Sequence, residues 1–572
     1  MAVLTNNAKE ILQSRYLLRN DKHVVVETAT NLFKRVAKHI ASAEKPNQRN
    51  FWEKQFYTVM NKLDFLPNSP TLMNAGLPNG QLKACFVLPI EDSLNDIFIT
   101  LKNAALIHQS GGGTGFNFSK LRPKDDLVSS FSGTSSGPLA FMKIFNAATE
   151  YVKQGGKRRG ANMGILNINH PDIESFITCK SNKEELQNFN ISVGITDDFM
   201  KAVVEDTDWN LINPRTKKIE KKLRAIYLWN LITTNAWETG DPGLIFLDTI
   251  NKNNPTPLLG YISSTNPCGE VPLLDYESCN LGSINLSHMV KNNGKSIEID
   301  WHKLAKTIEI SIRFLDNIID VNHYLLPETE KISKQNRKIG LGLMGWAEFL
   351  IKLNIKYGST KAISLAKKVM RFIKIKSYEA SAQLAKEKGT FSKLNKSIHA
   401  ITLRNATCNS IAPTGTISVI ANTTYSIEPL FAVAFKRTGI LNNKAQLEIN
   451  KLFIEKMKSL GLWNKKLKKQ VLKKGSIQKI EGIPKDIKDI FETGIEISWK
   501  YHLQHQKAFQ KYTDNAVSKT INLPETTTIK DISDIYKTAW IYKLKGITIF
   551  RNGSRIKQVI QRCNYNDSNN CL

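Results

Sequence analysis

The densest chemistry in the chain lies in NPCGEVPLLDYESCNLGSINL, residues 266–286. A carboxamide, a thiol and a carboxylate fall at Asn266, Cys268 and Glu270, and a second thiol, Cys279, follows eleven positions after the first. Pro267 and Gly269 interrupt the run, so it does not read as a continuous buried strand. In an extended segment residues i, i+2 and i+4 project to one side, which would give Asn266, Cys268 and Glu270 a common face. The thiols have three open uses: metal ligands, packed small hydrophobes, or reagents. The chain holds seven cysteines and no CxxC pair. That pattern disfavours structural zinc, and an odd count in a long chain argues against a disulfide framework. No metal site is expected. A hydrolase would need a histidine to activate Cys268; the nearby candidate is His288, and no protease signature surrounds it. Packing is the default reading for Cys179 and Cys408.

Phosphate chemistry has three candidate segments. NSIAPTGTISVIANTT (409–424) reads as a β-like entry, a Pro413-Thr414-Gly415-Thr416 turn and a helix beginning near Ile417. Free backbone N–H groups and the positive end of a helix suit an anion there, although on local grounds an ordinary helix cap is favoured. SGGGTGFN lacks the Lys-Ser/Thr of a P-loop, so ATP hydrolysis is not indicated. QGGKRRGAN (154–162) offers Lys157, Arg158 and Arg159 for an anion, or is a solvated turn.

Elements must position these groups. The first sixty or so residues read as helices (NLFKRVAKHIASA, FWEKQFYTVMNKL), followed by a Pro-rich hinge at Leu66–Thr71. Ser93 starts a helix with Leu94, Ile97, Phe98, Leu101, Ala104 and Ala105 as its apolar stripe, ending in the glycines of SGGGTGFNFSKLRP. Short β-rich runs (ACFVLPI, CNLGSINL, TCNSIA) alternate with helical ones such as the Ile308, Ile312, Leu315, Ile319 series, which predicts an α/β architecture. The expected units are a helical region at 1–66, a catalytic domain at 67–555 with a lysine-rich helical insertion about 440–500, and a mobile tail at 556–572. In the insertion Ile449, Leu452, Phe453, Met457 and Leu460 are expected on one side.

The 572-residue chain carries a formal charge of +29 with 41% hydrophobic residues. The positive excess is mostly scattered lysine, and no zinc finger, RNA-recognition signature or Arg/aromatic interleaving accompanies it, so nucleic acid is not an expected partner. No stretch approaches the roughly 20 apolar residues needed to span a bilayer, and the start lacks a signal-peptide core. A cytoplasmic, non-membrane protein is expected.

Taken together in order, SPTLMNAG, CFVLPIEDS, SGGGTGFNFSKLRP, NPCGE, CNLGSINL, NRKIGLGLMGWAE, APTGTIS, YTDNAVSKTINLP and KGITIFRNGSR resemble the catalytic subunit of ribonucleotide reductase, from about Pro67 to Arg555. The resemblance implies a ten-stranded α/β barrel with a central finger loop whose tip carries the radical thiol at Cys268. It implies that Glu270 acts as base toward the 3′-hydroxyl, that Asn266 orients the sugar hydroxyls, and that Cys85 and Cys279 supply the reducing electrons and end as a disulfide. Implied substrate contacts are Thr71, Ala84, Cys85, Gly113, Asn266, Cys268 and Glu270, with the diphosphate at Pro413, Thr414, Gly415, Thr416 and Ile417. A dNTP or ATP specificity effector would sit near Asp92 and Arg122, relayed by loops 124–137 and 180–190.

KGITIF (545–550) has no Tyr-Tyr pair, and together with YTDNAVSKTINLP it looks like the class II branch, which uses adenosylcobalamin. A class I type subunit fed by a separate radical-generating protein is the alternative. The resemblance further implies ribonucleoside diphosphate substrates, a thioredoxin-like reductant and a homodimer. Two features depart from the family pattern. The N-terminal region is expected to be too short for the regulatory ATP cone, and the tail cysteines, Cys563 and Cys571, stand eight apart; they either shuttle electrons to the active-site disulfide or are a remnant.

Overall fold

The computed structural model describes residues 4–128, 133–152, 160–182, 184–294, 296–437, 446–554 and 560–561. Lys157, Arg158, Arg159, Cys563 and Cys571 lie outside the described residues.

Twelve strands matter for the site. They are β1 (Phe65–Pro67), β2 (Cys85–Val87), β3 (Gly113–Asn117), β4 (Asn162–Asn167), β5 (Phe189–Ile195) and β6 (Gly243–Phe246). Then follow β7 (Ser264–Thr265), β8 (Pro272–Leu273), β9 (Ser278–Asn285), β10 (Ile339–Met344), β11 (Thr520–Leu523) and β12 (Gly546–Arg551). Strands β2 to β6 pair in chain order, all parallel. The second half runs β9–β10 parallel, then through single parallel bridges Leu341↔Asn409 and Ile411↔Val517 into β11, which pairs parallel with β12. The halves join antiparallel at β9–β2 and at β6–β12, which closes the ring. This is the expected α/β barrel. The TCNSIA run contributes only those single bridges rather than a full strand.

Helices wrap the outside because their apolar stripes need a sheet face to cover. In α1 (Asn6–Ile11), α2 (Ala29–Ala41) and α3 (Arg49–Asn61) the buried residues recur at helical spacing, for instance Leu32, Phe33, Val36, Ala37 and Ile40. These helices share one core with the long helix Trp301–Val321; Phe314 meets Phe56 and Phe65 edge-on, with ring centroids 5.1 and 5.4 Å apart.

Three sequence expectations are corrected. The Leu66–Thr71 segment is not a hinge: Pro67 ends β1, Asn68 caps α4 (Ser69–Asn74), and Pro70 sits in that helix's first turn, where a missing N–H costs nothing. The helix α5 (Leu94–Gln109) begins at Ser93 as expected, but Leu94 and Phe98 are 65% and 50% exposed while Ile97, Ala104 and Ile107 are buried. The lysine-rich insertion is not purely helical: Gln446–Ile449 is a strand paired with Ala434–Arg437. Phe453 and Met457 enter a small separate core beside Ile351, whereas Leu460 is exposed.

The two-stranded hairpin β7–β8 does not belong to the ring but threads it. Its carbonyl oxygens accept from both halves: Ser263 from Asn117 Nδ2 (2.8 Å), Pro267 from Asn190 Nδ2 (2.7 Å), Glu270 from Ala516 N (2.9 Å) and Ser410 Oγ (2.8 Å). The passage is narrow. A Cβ at Gly115 would lie 1.7 Å from the Thr265 carbonyl oxygen, so only glycine fits that wall. Gly115→Ala is therefore expected to cost at least about 3 kcal/mol of stability, beyond the usual penalty range for overpacking. Denaturant unfolding checks this; a variant as stable as the parent would show that the hairpin does not occupy that path.

Candidate active site

The hairpin tip builds the site. The Asn266 carbonyl accepts from Gly269 N (3.0 Å), Asn266 N donates to the Val271 carbonyl (3.3 Å), and Asn266 Oδ1 accepts from Val271 N (3.0 Å). Gly269 adopts φ +78°, a conformation that glycine reaches without strain. Asn266, Cys268 and Glu270 thus converge through a closed turn and not through the alternating face of an extended strand. All three line one cavity of about 320 Å³, at the lower end of ligand-sized pockets. Asn266 and Glu270 are buried, whereas the Cys268 thiol is exposed at the tip.

Asn266 Nδ2 donates to Cys85 Sγ at 3.2 Å, joining the tip to the barrel wall. Cys85 and Cys279 are direct partners in the antiparallel β2–β9 pairing. Antiparallel partners stand about 4.5–5.5 Å apart at Cα, within the window a disulfide needs. Cys85 is on the cavity wall; Cys279 lies behind it, fully buried in a small apolar cluster with Val87, Val271, Leu273 and Leu281. Burial pushes the Cys279 thiol up to about 12, partly offset by the positive charges of Lys83 and Lys338, so it stays protonated near neutrality.

Lys83 is unusual. It is fully buried, its Nζ has no hydrogen-bond partner among the described residues, and it sits 5.1 Å from the Tyr324 ring centroid. Burial lowers its pKa to about 7, with Cys279 opposing the drop.

The other expected residues are distributed unevenly. Ala84, Gly113 and the whole Pro413–Ile417 turn line the same cavity. Thr414 has φ +58° and its hydroxyl accepts from Ser426 N at 2.8 Å, which fixes the turn. Among the described hydrogen bonds none is donated by the backbone N–H of Gly415 or Thr416, leaving two donors for an anion. Thr71 does not line the cavity: it is fully buried, its hydroxyl between Asn68 Oδ1 (3.0 Å) and the Leu82 carbonyl (2.9 Å). Helical phase is the reason, since Ser69 and Met73, four apart, share the face that does line it.

Away from the cavity, Asp92 and Arg122 meet each other, with Arg122 Nε 2.8 Å from Asp92 Oδ2, beside the start of α5. Cys408 is fully buried and Cys179 partly so; burial raises both thiols, Cys179 to about 12, which keeps them protonated near neutrality. Sequence reasoning missed Arg15, Tyr16, Asn68 and Ser69 on the cavity wall. Nothing local marks Arg15 or Tyr16, which contacts across the chain bring there; Ser69 opens the SPTLMNAG motif, which was the available signal.

A closed barrel, a threaded hairpin with a thiol at its tip and a cross-strand thiol pair define the large-subunit class of ribonucleotide reductases. Two family profiles match: "Ribonucleotide reductase, barrel domain" over residues 83–401 and 391–550, and "Ribonucleotide reductase, all-alpha domain" over residues 2–80. The chain belongs to the ribonucleotide reductase family. It is 46% identical to the vitamin B12-dependent ribonucleoside-diphosphate reductase of Thermoplasma acidophilum, over 97% of this chain and 80% of that protein. A vitamin B12-dependent ribonucleoside-diphosphate reductase of Mycobacterium tuberculosis is 45% identical over 97% of this chain and 78% of its own length. Among solved structures, the class Id ribonucleotide reductase alpha subunit of Actinobacillus ureae superposes with a TM-score of 0.79 at 25% identity, covering 96% of this chain and 97% of that one.

Lys83 yields a stability prediction with a definite sign. Its pKa falls from 10.5 to about 7 on folding, so between those values the unfolded chain binds more protons and stability rises with pH. At and below pH 7 the cost of the buried charge is fully present. Lys83→Met should therefore raise Tm most at pH 6–7, with the gain shrinking as pH approaches 10. Thermal melts across that range check it, and a gain that grew with pH would contradict the assignment.

Proposed function

We propose that the protein is an adenosylcobalamin-dependent ribonucleoside-diphosphate reductase. The observation that carries this reading is the meeting of Asn266, Cys268, Glu270 and the Cys85–Cys279 pair at one cavity. The names of the B12-dependent relatives support the cofactor and the diphosphate substrate.

Each group has a task suited to its surroundings. Cys268, as a thiyl radical, removes the 3′ hydrogen atom of the ribose. Glu270, buried within the cavity, takes the proton of the 3′-hydroxyl. Asn266 holds the sugar hydroxyls while its amide keeps Cys85 in place. The 2′-hydroxyl leaves as water, taking a proton from the thiol pair. Cys85 and Cys279 together give up two electrons and two protons and become a disulfide; Cys268 returns a hydrogen atom to C3′. Ribonucleotide and dithiol are thereby converted to deoxyribonucleotide, disulfide and water. An external thioredoxin-like dithiol then reduces the disulfide by exchange. Burial holds Cys279 as the thiol, so it keeps its hydrogen until the reaction takes it.

The hairpin tip fits a bulky cofactor. Cys268 is exposed, and the space a Cβ at Gly269 would enter is open to at least 4 Å, so Pro267, Cys268 and Gly269 would face the bound group. Adenosylcobalamin supplies, when bound, the carbon-centred radical that oxidises a thiol. Phosphates of the substrate lie on the Pro413–Ile417 turn. A deoxynucleoside triphosphate or ATP effector binds beside Asp92 and Arg122, where opening their mutual ion pair frees a carboxylate for a ribose hydroxyl and a guanidinium for phosphate. The exposed apolar residues Leu94 and Phe98 of α5 and Ile144 of α6 (Gly137–Tyr151) form the face through which two copies pair as a homodimer. Residues 1–66 act as a helical region, 67–555 as the catalytic unit, and 556–572 as the tail. Among the described residues no helix is long and apolar enough to cross a membrane; a cytoplasmic location fits the substrates.

Turnover of nucleoside diphosphates with adenosylcobalamin and dithiothreitol, with and without oxygen, tests the assignment. Activity is expected in both atmospheres without a second protein, and Cys268→Ser should lose at least about a thousandfold, as removal of a nucleophile or radical carrier does. Activity that required another subunit, or persisted in Cys268→Ser, would overturn it. For the dimer, Phe98→Glu should shift the sedimenting species from two chains to one; an unchanged species would locate the interface elsewhere.

A further inference from the structure

The cavity has one wall that the reaction described above does not use. Residues Leu12–Tyr16 form a turn of π-helix directly after α1, a local bulge in the winding that recurs at functional positions. Two contacts seat this turn against the barrel. Tyr16 Oη and Ser69 Oγ are 2.7 Å apart, and α1 packs against the short helix Ile417–Ile420 that follows the Pro413–Thr416 turn. Arg15 therefore lines the same cavity as Thr414, Gly415 and Thr416.

The charge inventory of the cavity makes Arg15 distinctive. Among the described residues it is the only cationic side chain on the wall, and Glu270 is the only anionic one. No described carboxylate or carbonyl takes the Arg15 guanidinium, whereas the next arginine along the chain, Arg19, donates to the His23 and Gln13 carbonyls. A half-buried guanidinium held at a cavity without an internal acceptor presents its donors to whatever enters. A nucleotide that entered with its ribose at Glu270 would bring its multiply charged phosphates to the turn, where their charge needs compensation. Two backbone N–H groups orient it but carry no full charge. A planar guanidinium matches phosphate oxygens with two parallel hydrogen bonds and a formal charge.

We propose that Arg15 binds the terminal phosphate of the substrate, so that the helical N-terminal region completes the active site and sets the preference for a phosphorylated nucleotide. This rests on the reading that the Pro413–Ile417 turn holds the substrate phosphates. Arg15 is a binding residue and takes no part in bond making. Its removal is expected to weaken binding and leave the chemical steps intact.

The test compares Arg15→Gln, Arg15→Lys and Gly415→Asp in the full chain. Gly415 tolerates a side chain sterically, since nothing stands within 4 Å of its added Cβ, and the aspartate would repel phosphate at the turn. Two readouts are taken: KM and kcat for a nucleoside diphosphate with adenosylcobalamin and dithiothreitol, and calorimetric binding of the same diphosphate and of inorganic pyrophosphate without cofactor. Arg15→Gln should raise KM and Kd about 10- to 100-fold, the worth of one charge-assisted contact, with kcat within about threefold by the same separation of uniform binding from chemistry. Arg15→Lys should recover part of the loss, and pyrophosphate should follow the diphosphate. If Gly415→Asp weakens binding and Arg15→Gln does not, the Arg15 proposal falls while the phosphate turn stands. If neither variant weakens binding, both fall. A fall in kcat at unchanged Kd would also overturn the proposal, because it would make Arg15 part of the chemistry or of the fold.

Discussion

The structure depends on carrying a stretch of backbone through the middle of a closed barrel. Buried peptide groups away from water need partners, and the hairpin finds them on both halves of the ring: Asn117 and Asn190 on one side, Ser410 and Ala516 on the other. The space for this comes from the wall. Gly115 lets the Thr265 carbonyl approach where any Cβ would collide, and Gly113 does the same for Pro267, which would stand 2.9 Å from an added Cβ. In return the ring fixes the tip from several directions, so Cys268 is delivered to a defined place in front of Cys85.

The same burial sorts the thiols by chemistry. Of the three, Cys268 is exposed at a turn, Cys85 is on a cavity wall and Cys279 is sealed behind it. Sealing keeps Cys279 protonated, as its proposed donation of hydrogen requires. Lys83 complicates this apolar setting: a buried ammonium with no hydrogen-bond partner among the described residues costs stability. Its field acts on Cys279 first, and it holds positive potential beside the thiol that becomes half of the proposed disulfide.

Much of this was legible in the residues. The alternation of β-rich and helical runs indicated an α/β fold, Ser93 marked the start of α5, and the glycines after it marked the next strand. The errors have physical causes. The Leu66–Thr71 prolines look like a hinge locally, but Pro67 ends β1 and Pro70 occupies a first helical turn, where a missing N–H is harmless. Leu94 and Phe98 sit in the stripe expected to be buried, because helical spacing identifies an apolar face without saying what covers it. The shared face of Asn266, Cys268 and Glu270 was right as a convergence and wrong as a strand: Gly269 at positive φ folds the segment into a turn.

What the sequence determined by itself was the set of reactive groups: a thiol flanked by a carboxylate and a carboxamide, a second thiol eleven residues on, and a Pro-Thr-Gly-Thr turn. Side-chain type and short spacing suffice there, since the groups act over the few residues that hold them. The family resemblance named some of the distant groups that join them, Cys85 among them, but only the tertiary structure shows what brings them there. The pairing of Cys85 with Cys279 is a matter of strand register across the barrel seam. The placement of Ser69 and not Thr71 on the wall is a matter of helical phase, and the arrival of Arg15 beside the turn follows from α1 packing on the helix after it. These are contacts between segments tens to hundreds of residues apart, fixed by burial of a shared core. No local pattern encodes a core that forms only when the whole chain closes on itself.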